Sequence, residues 1–203
     1  LDFGSVINTC GTSYTLDALN SGSTYLWSDG TIGQTLLAQS NGTYSVQITT
    51  VNNCLLRESV NVTLNGTVQP DLGPDKTVCG SQLLDAGYPG STYAWSDGSN
   101  TRKITASSTG TYSVVITDQN GCVGTDNISV TINPVPIVNL GQDILACANQ
   151  VIVLDAQNAG SSYLWSDNST GKTIQPTVNG SYAVTVTNTF GCTGAGNIKV
   201  TIN

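Results

Sequence analysis

Six cysteines are the residues of this 203-residue chain with the most chemistry to offer, and their spacing is regular. They fall as Cys10 and Cys54, Cys79 and Cys122, and Cys147 and Cys192, at separations of 44, 43 and 45 residues. Paired cysteines serve two chemistries, disulfide formation and metal binding. Zinc sites use close C-x-x-C pairs and histidine, and the chain has neither. One pair per period, at constant phase, therefore reads as a disulfide within each of three repeating units. Closing a loop of this length is worth about 4 kcal/mol in the chain-entropy account. Disulfides place the chain outside a reducing cytosol.

The aromatic residues share the period. Tyr25 and Trp27, Tyr93 and Trp95, and Tyr163 and Trp165 each stand in a Tyr-x-Trp-Ser-Asp stretch that holds every Trp of the chain. Residues two apart lie on one face of a strand. An exposed face would make a platform for stacking sugar rings, and a buried one a sandwich core. With one Trp per unit, set in an apolar alternation, the core reading is preferred. Tyr44, Tyr112 and Tyr182 each follow Gly-Thr or Gly-Ser and fit a tyrosine corner, whose hydroxyl ties back to upstream backbone.

Other chemistry is sparse. Without histidine there is no His-assisted nucleophile, and no Gly-rich phosphate loop is present. A catalytic carboxylate pair has little room for a cleft in units this small, so the chain is not expected to be an enzyme and no cofactor is expected. Calcium stays open as a ligand near Asp71, Asp75, Asn139 and Asp143. The first repeat, however, has Val6 where the others have Asp75 and Asp143, and calcium wants six to eight oxygens. Asp side chains that build turns are the plainer reading. A net charge of −7 speaks against nucleic acid and against an anionic membrane surface. No apolar run is long enough to cross a bilayer, so no direct membrane insertion is expected. The opening Leu1-Asp2-Phe3-Gly4 has no signal-peptide pattern, and each repeat closes at the same phase. A segment cut from a longer tandem array is therefore expected.

The elements that position these residues are short strands. Tyr44, Val46 and Ile48 alternate with polar residues, as do Tyr112, Val114 and Ile116, and Tyr182, Val184 and Val186. Such alternation marks half-buried antiparallel strands. Val60, Val62 and Leu64 and their counterparts repeat it in a closing strand. Asn120-Gly121-Cys122 and Phe190-Gly191-Cys192 read as hairpin connections between the two. Asp29-Gly30 and Asp97-Gly98, with Asp167-Asn168 in the third unit, read as tight hairpin turns. No segment has helical apolar spacing. The expected fold is all-β: three tandem immunoglobulin-like (PKD-like) Greek-key β-sandwich domains arranged as a rod. Their expected bounds are 1–65, 66–133 and 134–203, joined by short linkers stiffened by proline.

The order Leu-Gly…Cys…Leu-Asp-Ala-Gly…Tyr-x-Trp-Ser-Asp-Gly…Gly-Thr-Tyr-Ser-Val…Asn-Gly-Cys…Val-Thr-Ile, seen across Leu72–Ile132, resembles the tandem repeats of very large Bacteroidetes surface adhesins. The SprB-type gliding-motility family is the nearest named group. Related repeats also occur in secreted polysaccharide-degrading enzymes. The resemblance spans the whole chain, with turn changes at Asn52-Asn53-Cys54 and Asp167-Asn168. It implies a cell-surface filament exported by type IX secretion. Its partners would be a surface polysaccharide or other extracellular substratum, together with neighbouring repeats of its own chain. No catalytic residues come with it. The competing expectation is a carbohydrate-binding or spacer module of a secreted glycanase.

Overall fold

A computed structural model describes residues 3–203, so the expected start of the first repeat at Leu1 and Asp2 lies outside the described residues. The regular elements among the described residues are all strands, in three sets of six. The first set is β1 (Val6–Thr9), β2 (Tyr14–Asp17), β3 (Thr24–Trp27), β4 (Thr35–Ala38), β5 (Gly42–Thr49) and β6 (Leu55–Leu64). The second is β7 (Lys76–Cys79), β8 (Gln82–Asp85), β9 (Thr92–Trp95), β10 (Lys103–Ala106), β11 (Gly110–Thr117) and β12 (Val123–Asn133). The third is β13 (Ile144–Ala146), β14 (Leu154–Asp155), β15 (Ser162–Trp165), β16 (Thr173–Ile174), β17 (Gly180–Thr187) and β18 (Thr193–Ile202).

Each set makes a four-stranded sheet, in the orders β1-β6-β5-β3, β7-β12-β11-β9 and β13-β18-β17-β15. The two strands left over in each set pair as a second sheet. The result is three immunoglobulin-like sandwiches in tandem. Their first strand runs parallel to their last: Thr9 stands opposite Leu64, Cys79 opposite Asn133, and Ala146 opposite Ile202. The chain therefore leaves a sandwich beside the end of its first strand. The hairpin that opens the last strand lies at the opposite end. This register fixes where the cysteines go.

Contacts gather the chain into two compact units. One is Leu1–Gly73 with Leu84–Ile104 and Tyr112–Ile128; the other is Pro74–Leu83 with Thr105–Thr111 and Ser129–Asn203. In the first unit Trp27 packs with Leu16, Leu36, Val46, Ile48, Val60 and Val62. In the second, Trp165 packs with Leu154, Ile174, Val184, Val186, Ile198 and Val200. These are the alternating apolar positions of the facing strands, and no polar side chain is buried among the described residues. Burial of this kind is worth about 1.5–3 kcal/mol for each large side chain.

The Ser-Asp-Gly stretch turns the chain, but it does not join paired strands. Gly30 N–H donates to the Trp27 carbonyl at 3.0 Å, and Trp27 N–H to the Thr31 carbonyl at 2.8 Å. Yet β3 pairs with β5, and β4 with β2. The expected hairpin is instead a crossover between sheets. Trp27 is the cause, because its buried ring requires β3 to stay beside β5 while the next strand covers it from the other layer. Positive φ at Gly30 (91°), Gly98 (86°) and Asn168 (68°) is what this turn requires.

Candidate functional site: cystines between repeats

The cysteines pair across repeats. Cys10 bonds Cys122, and Cys79 bonds Cys192, with Cα atoms 5.5 and 5.6 Å apart. Cys54 and Cys147 are exposed thiols. The expected pairs Cys10–Cys54, Cys79–Cys122 and Cys147–Cys192 are not formed, and the strand register explains why. Cys10 follows Thr9, which lies opposite the final residue of β6, whereas Cys54 precedes the first residue of that ten-residue strand. At about 3.3 Å per residue the two are separated by roughly 30 Å, while a disulfide needs Cα atoms within about 7 Å. Two cysteines per period satisfy pairing within a repeat and pairing with the next repeat equally well. Parallel pairing of the first and last strands permits only the second.

Both halves of each cystine sit in a built setting. The hairpin half is held by a side-chain cap. Asp118 Oδ1 accepts from Asn120 N–H and Cys122 N–H, both at 2.8 Å. Asn188 Oδ1 does the same for Phe190 and Cys192 at 3.0 Å. Gly121 and Gly191 supply the positive φ of 80° and 79°. Cys122 and Cys192 are each only 1% exposed. The other half sits where the first strand ends, Cys10 just past β1 and Cys79 as the last residue of β7. There Gly11 N–H donates to the Gly66 carbonyl at 2.6 Å, and Gly80 N–H to the Asn133 carbonyl at 3.0 Å.

The linkers are seated against the sandwich that follows. The Tyr88 hydroxyl accepts from Gln69 N–H at 2.9 Å and donates to the Gln69 carbonyl at 3.0 Å. Asn188 Nδ2 donates to the Pro134 carbonyl at 2.7 Å, and Asn158 Nδ2 to the Ile137 carbonyl at 2.9 Å. Backbone closeness leaves no room for a side chain on the last strand. A Cβ at Gly124 would stand 2.1 Å from the Val68 carbonyl oxygen, and one at Gly194 2.0 Å from that of Pro136. Asn188 thus caps the cysteine hairpin with its oxygen and holds the linker with its amide. The sequence carried no sign of this double role beyond the Asn-x-Phe-Gly-Cys string itself.

The aromatic residues are structural in their placement. Trp27, Trp95 and Trp165 are 2%, 5% and 2% exposed. Each indole N–H donates at 2.8 Å, to the carbonyls of Gly33, Thr101 and Gly171. Tyr25, Tyr93 and Tyr163 aim their hydroxyls at paired loop carbonyls, those of Leu19 and Asn20, Gly87 and Tyr88, and Gln157 and Asn158. These loops hold non-glycine residues at positive φ, and the tyrosine satisfies the carbonyls that such a backbone turns inward. Tyr44 and Tyr182 donate to the carbonyl four residues upstream, on Ser40 and Val178, while Tyr112 is 9% exposed.

The aspartates and their counterparts are engaged with backbone. Asp71 Oδ1 accepts from Gly73 N–H, Asn139 Oδ1 from Gly141, Asp75 Oδ1 from Ser129 and Asp143 Oδ1 from Lys199. Among the described residues no group of three or more His, Cys, Asp or Glu is gathered as a metal-binding set. Asp85 is the most strongly perturbed. Gly87 N–H donates to it, Arg102 grips it through Nε and Nη2 at 2.7 and 2.9 Å, and Lys103 adds a third contact. Together they lower its pKa from 3.8 to about 2. Asp17 is lowered by Gln34 and then by Leu19 N–H, and Asp155 by Gln157 N–H and then by Lys172.

No family model and no curated protein matches the chain. It is similar in structure to titin domains I67–I69 at 13% identity, over 98% of this chain and 95% of that one, with a TM-score of 0.39. It is also similar to the N-terminal eight Ig domains of Down syndrome cell adhesion molecule. There the identity is 12%, over 98% of this chain and 35% of that one, at 0.40. A third likeness is to a Bacteroides ovatus glucan-utilization protein, SGBP-B, solved with a mixed-linkage heptasaccharide. That match is 16% identical over 96% of this chain and 65% of that one, at 0.25. At these identities the likeness is one of fold alone.

Proposed function

We propose that the chain is a non-catalytic, load-bearing stalk segment of a bacterial cell-surface adhesin, serving attachment and gliding on a surface polysaccharide or other extracellular substratum. The observation that carries this reading is the pair of cystines that tie successive repeats together. A cystine inside a repeat protects that repeat alone; one between repeats secures the joint through which tension passes. The topology suits the same task. In the middle sandwich tension enters at Cys122, before β12, and leaves at Cys79, at the end of β7; these strands are parallel neighbours, so their hydrogen bonds are loaded in shear, all at once. Cystines also belong to an oxidising compartment outside the cytosol. The three Trp side chains are turned inward, so they offer no platform for stacking sugar rings.

Antibodies against the chain test the proposal on intact source cells. The expected result is labelling of the cell exterior, with attachment under flow weakened when all four bonded cysteines are replaced by serine in the parent protein. Labelling confined to the cell interior, or attachment unchanged by that replacement, would overturn it.

A further inference from the structure

Each cystine has one open half and one closed half. Cys10 and Cys79 are exposed at the ends of their strands, whereas Cys122 and Cys192 are each 1% exposed. A thiolate that breaks a disulfide approaches in line with the bond, from the far side of the sulfur it attacks, so access decides which sulfur that is. At Cys10 and Cys79 the far side opens to solvent. At Cys122 and Cys192 it is closed off by packing. The strand-end sulfurs are therefore the electrophiles, and the hairpin sulfurs are the leaving groups. The two leaving groups differ by one charge. Asp118 Oδ1 accepts from Cys122 N–H at 2.8 Å, and Asn188 Oδ1 from Cys192 N–H at 3.0 Å. The cap is a carboxylate in one hairpin and a neutral amide in the other. Negative charge gathers on the departing sulfur, and the Asp118 carboxylate opposes it where the Asn188 amide does not.

We infer that Cys79 is a site of modification by small thiols such as glutathione, and that Cys79–Cys192 is a redox-sensitive link, more labile than Cys10–Cys122. The glutathione thiolate bonds to Cys79 Sγ as the Cys79–Cys192 bond breaks. The electron pair of the broken bond leaves on Cys192 Sγ, which takes a proton from solvent. A second glutathione thiolate attacks the sulfur of the first and leaves with it as oxidised glutathione, and Cys79 is released as a thiol. Two thiols have then supplied the two electrons. Cys10 is attacked in the same way, more slowly. A part-developed charge beside a solvent-screened carboxylate changes such a rate by about two- to five-fold. The opened link keeps its two halves in place. Gly80 N–H is bound to the Asn133 carbonyl at 3.0 Å, and Asn188 caps the hairpin while its Nδ2 holds the Pro134 carbonyl at 2.7 Å. None of these contacts passes through sulfur, so oxidised glutathione restores the same pair.

Stapling between repeats, on which the proposed function rests, also underlies this site, and one time course tests the two apart. The full chain carrying Cys54→Ser and Cys147→Ser, so that neither adds a thiol of its own, is placed in dilute reduced glutathione, quenched in acid, alkylated and cleaved before aspartate. This cleavage puts each remaining cysteine on its own peptide. The link between peptides 75–84 and 167–203 should be lost about two- to five-fold faster than that between 2–16 and 118–125. Glutathione should appear on 75–84, with less than about one-tenth of that amount on 167–203. Asp118→Asn gives the second repeat the cap that the third already uses, and it should bring the two rates together. Equal glutathione on 75–84 and 167–203, a Cys10–Cys122 link lost as fast as Cys79–Cys192 while Asp118 is in place, or a rate difference that survives Asp118→Asn would each overturn the inference. The sample withdrawn before glutathione is added reads the stapling alone. Links absent from it would count against pairing between repeats; links present in it, followed by any of those three results, would count against the labile site only.

Discussion

Stretching the molecule by its ends measures the interleaving of its two cystines. Cys79 lies inside the loop closed by Cys10–Cys122, and that loop overlaps the one closed by Cys79–Cys192. Once every sandwich has been pulled open, the shortest covalent path runs from Leu1 to Cys10 and across to Cys122. It goes back to Cys79, across to Cys192 and on to Asn203, roughly 63 residue steps in all. At about 3.5 Å per step the oxidised chain extends to about 220 Å, and the fully reduced chain to about 700 Å. The informative variant is Cys54→Ser with Cys147→Ser. Pairing between repeats leaves it at about 220 Å, because neither residue is bonded. Pairing within repeats would leave it only Cys79–Cys122 and an extended length of about 560 Å. Single-molecule force spectroscopy on the wild type and this variant, with and without reductant, reads these lengths directly. A variant that lengthens to about 560 Å without reductant would refute the interleaved arrangement.

Three further outcomes are expected. Trp27→Ala should cost the first sandwich about 3–5 kcal/mol in chemical denaturation, since it empties a fully packed position. Gly194→Ala should destabilise the third sandwich by about 1–3 kcal/mol, because its Cβ meets the Pro136 carbonyl, while Gly110→Ala, with open space around it, should do far less. The Asp85 carboxylate, with its folded pKa lowered from 3.8 to about 2, contributes stability that is present above pH 3.8 and lost as pH falls towards 2. Thermal melts of Asp85→Asn should therefore lie below wild type at neutral pH and converge with it across that acid window.

The fold was legible because its signals are local. Alternation at Tyr44, Val46 and Ile48 set the faces of a strand, and Gly121 and Gly191 marked the hairpins. Repetition carried each reading across three units. Pairing of the cysteines was not legible by phase, since a shift of one repeat leaves the pattern unchanged. It follows from a nonlocal fact, the parallel register that sets Thr9 against Leu64. The Asp29-Gly30 turn misled for a similar reason: its local chemistry calls for a tight turn, while the partner of each flanking strand is decided by where Trp27 is buried. Asn188 and Tyr88 hold the linkers through contacts between residues far apart in sequence, which no spacing rule exposes.

Cysteine connectivity is the most direct test of the account. The non-reduced chain, alkylated at low pH and cleaved before aspartate, should yield peptide 2–16 joined to 118–125 and peptide 75–84 joined to 167–203. Recovery of 2–16 joined to 29–70, or of 75–84 joined to 118–125, would contradict stapling between repeats.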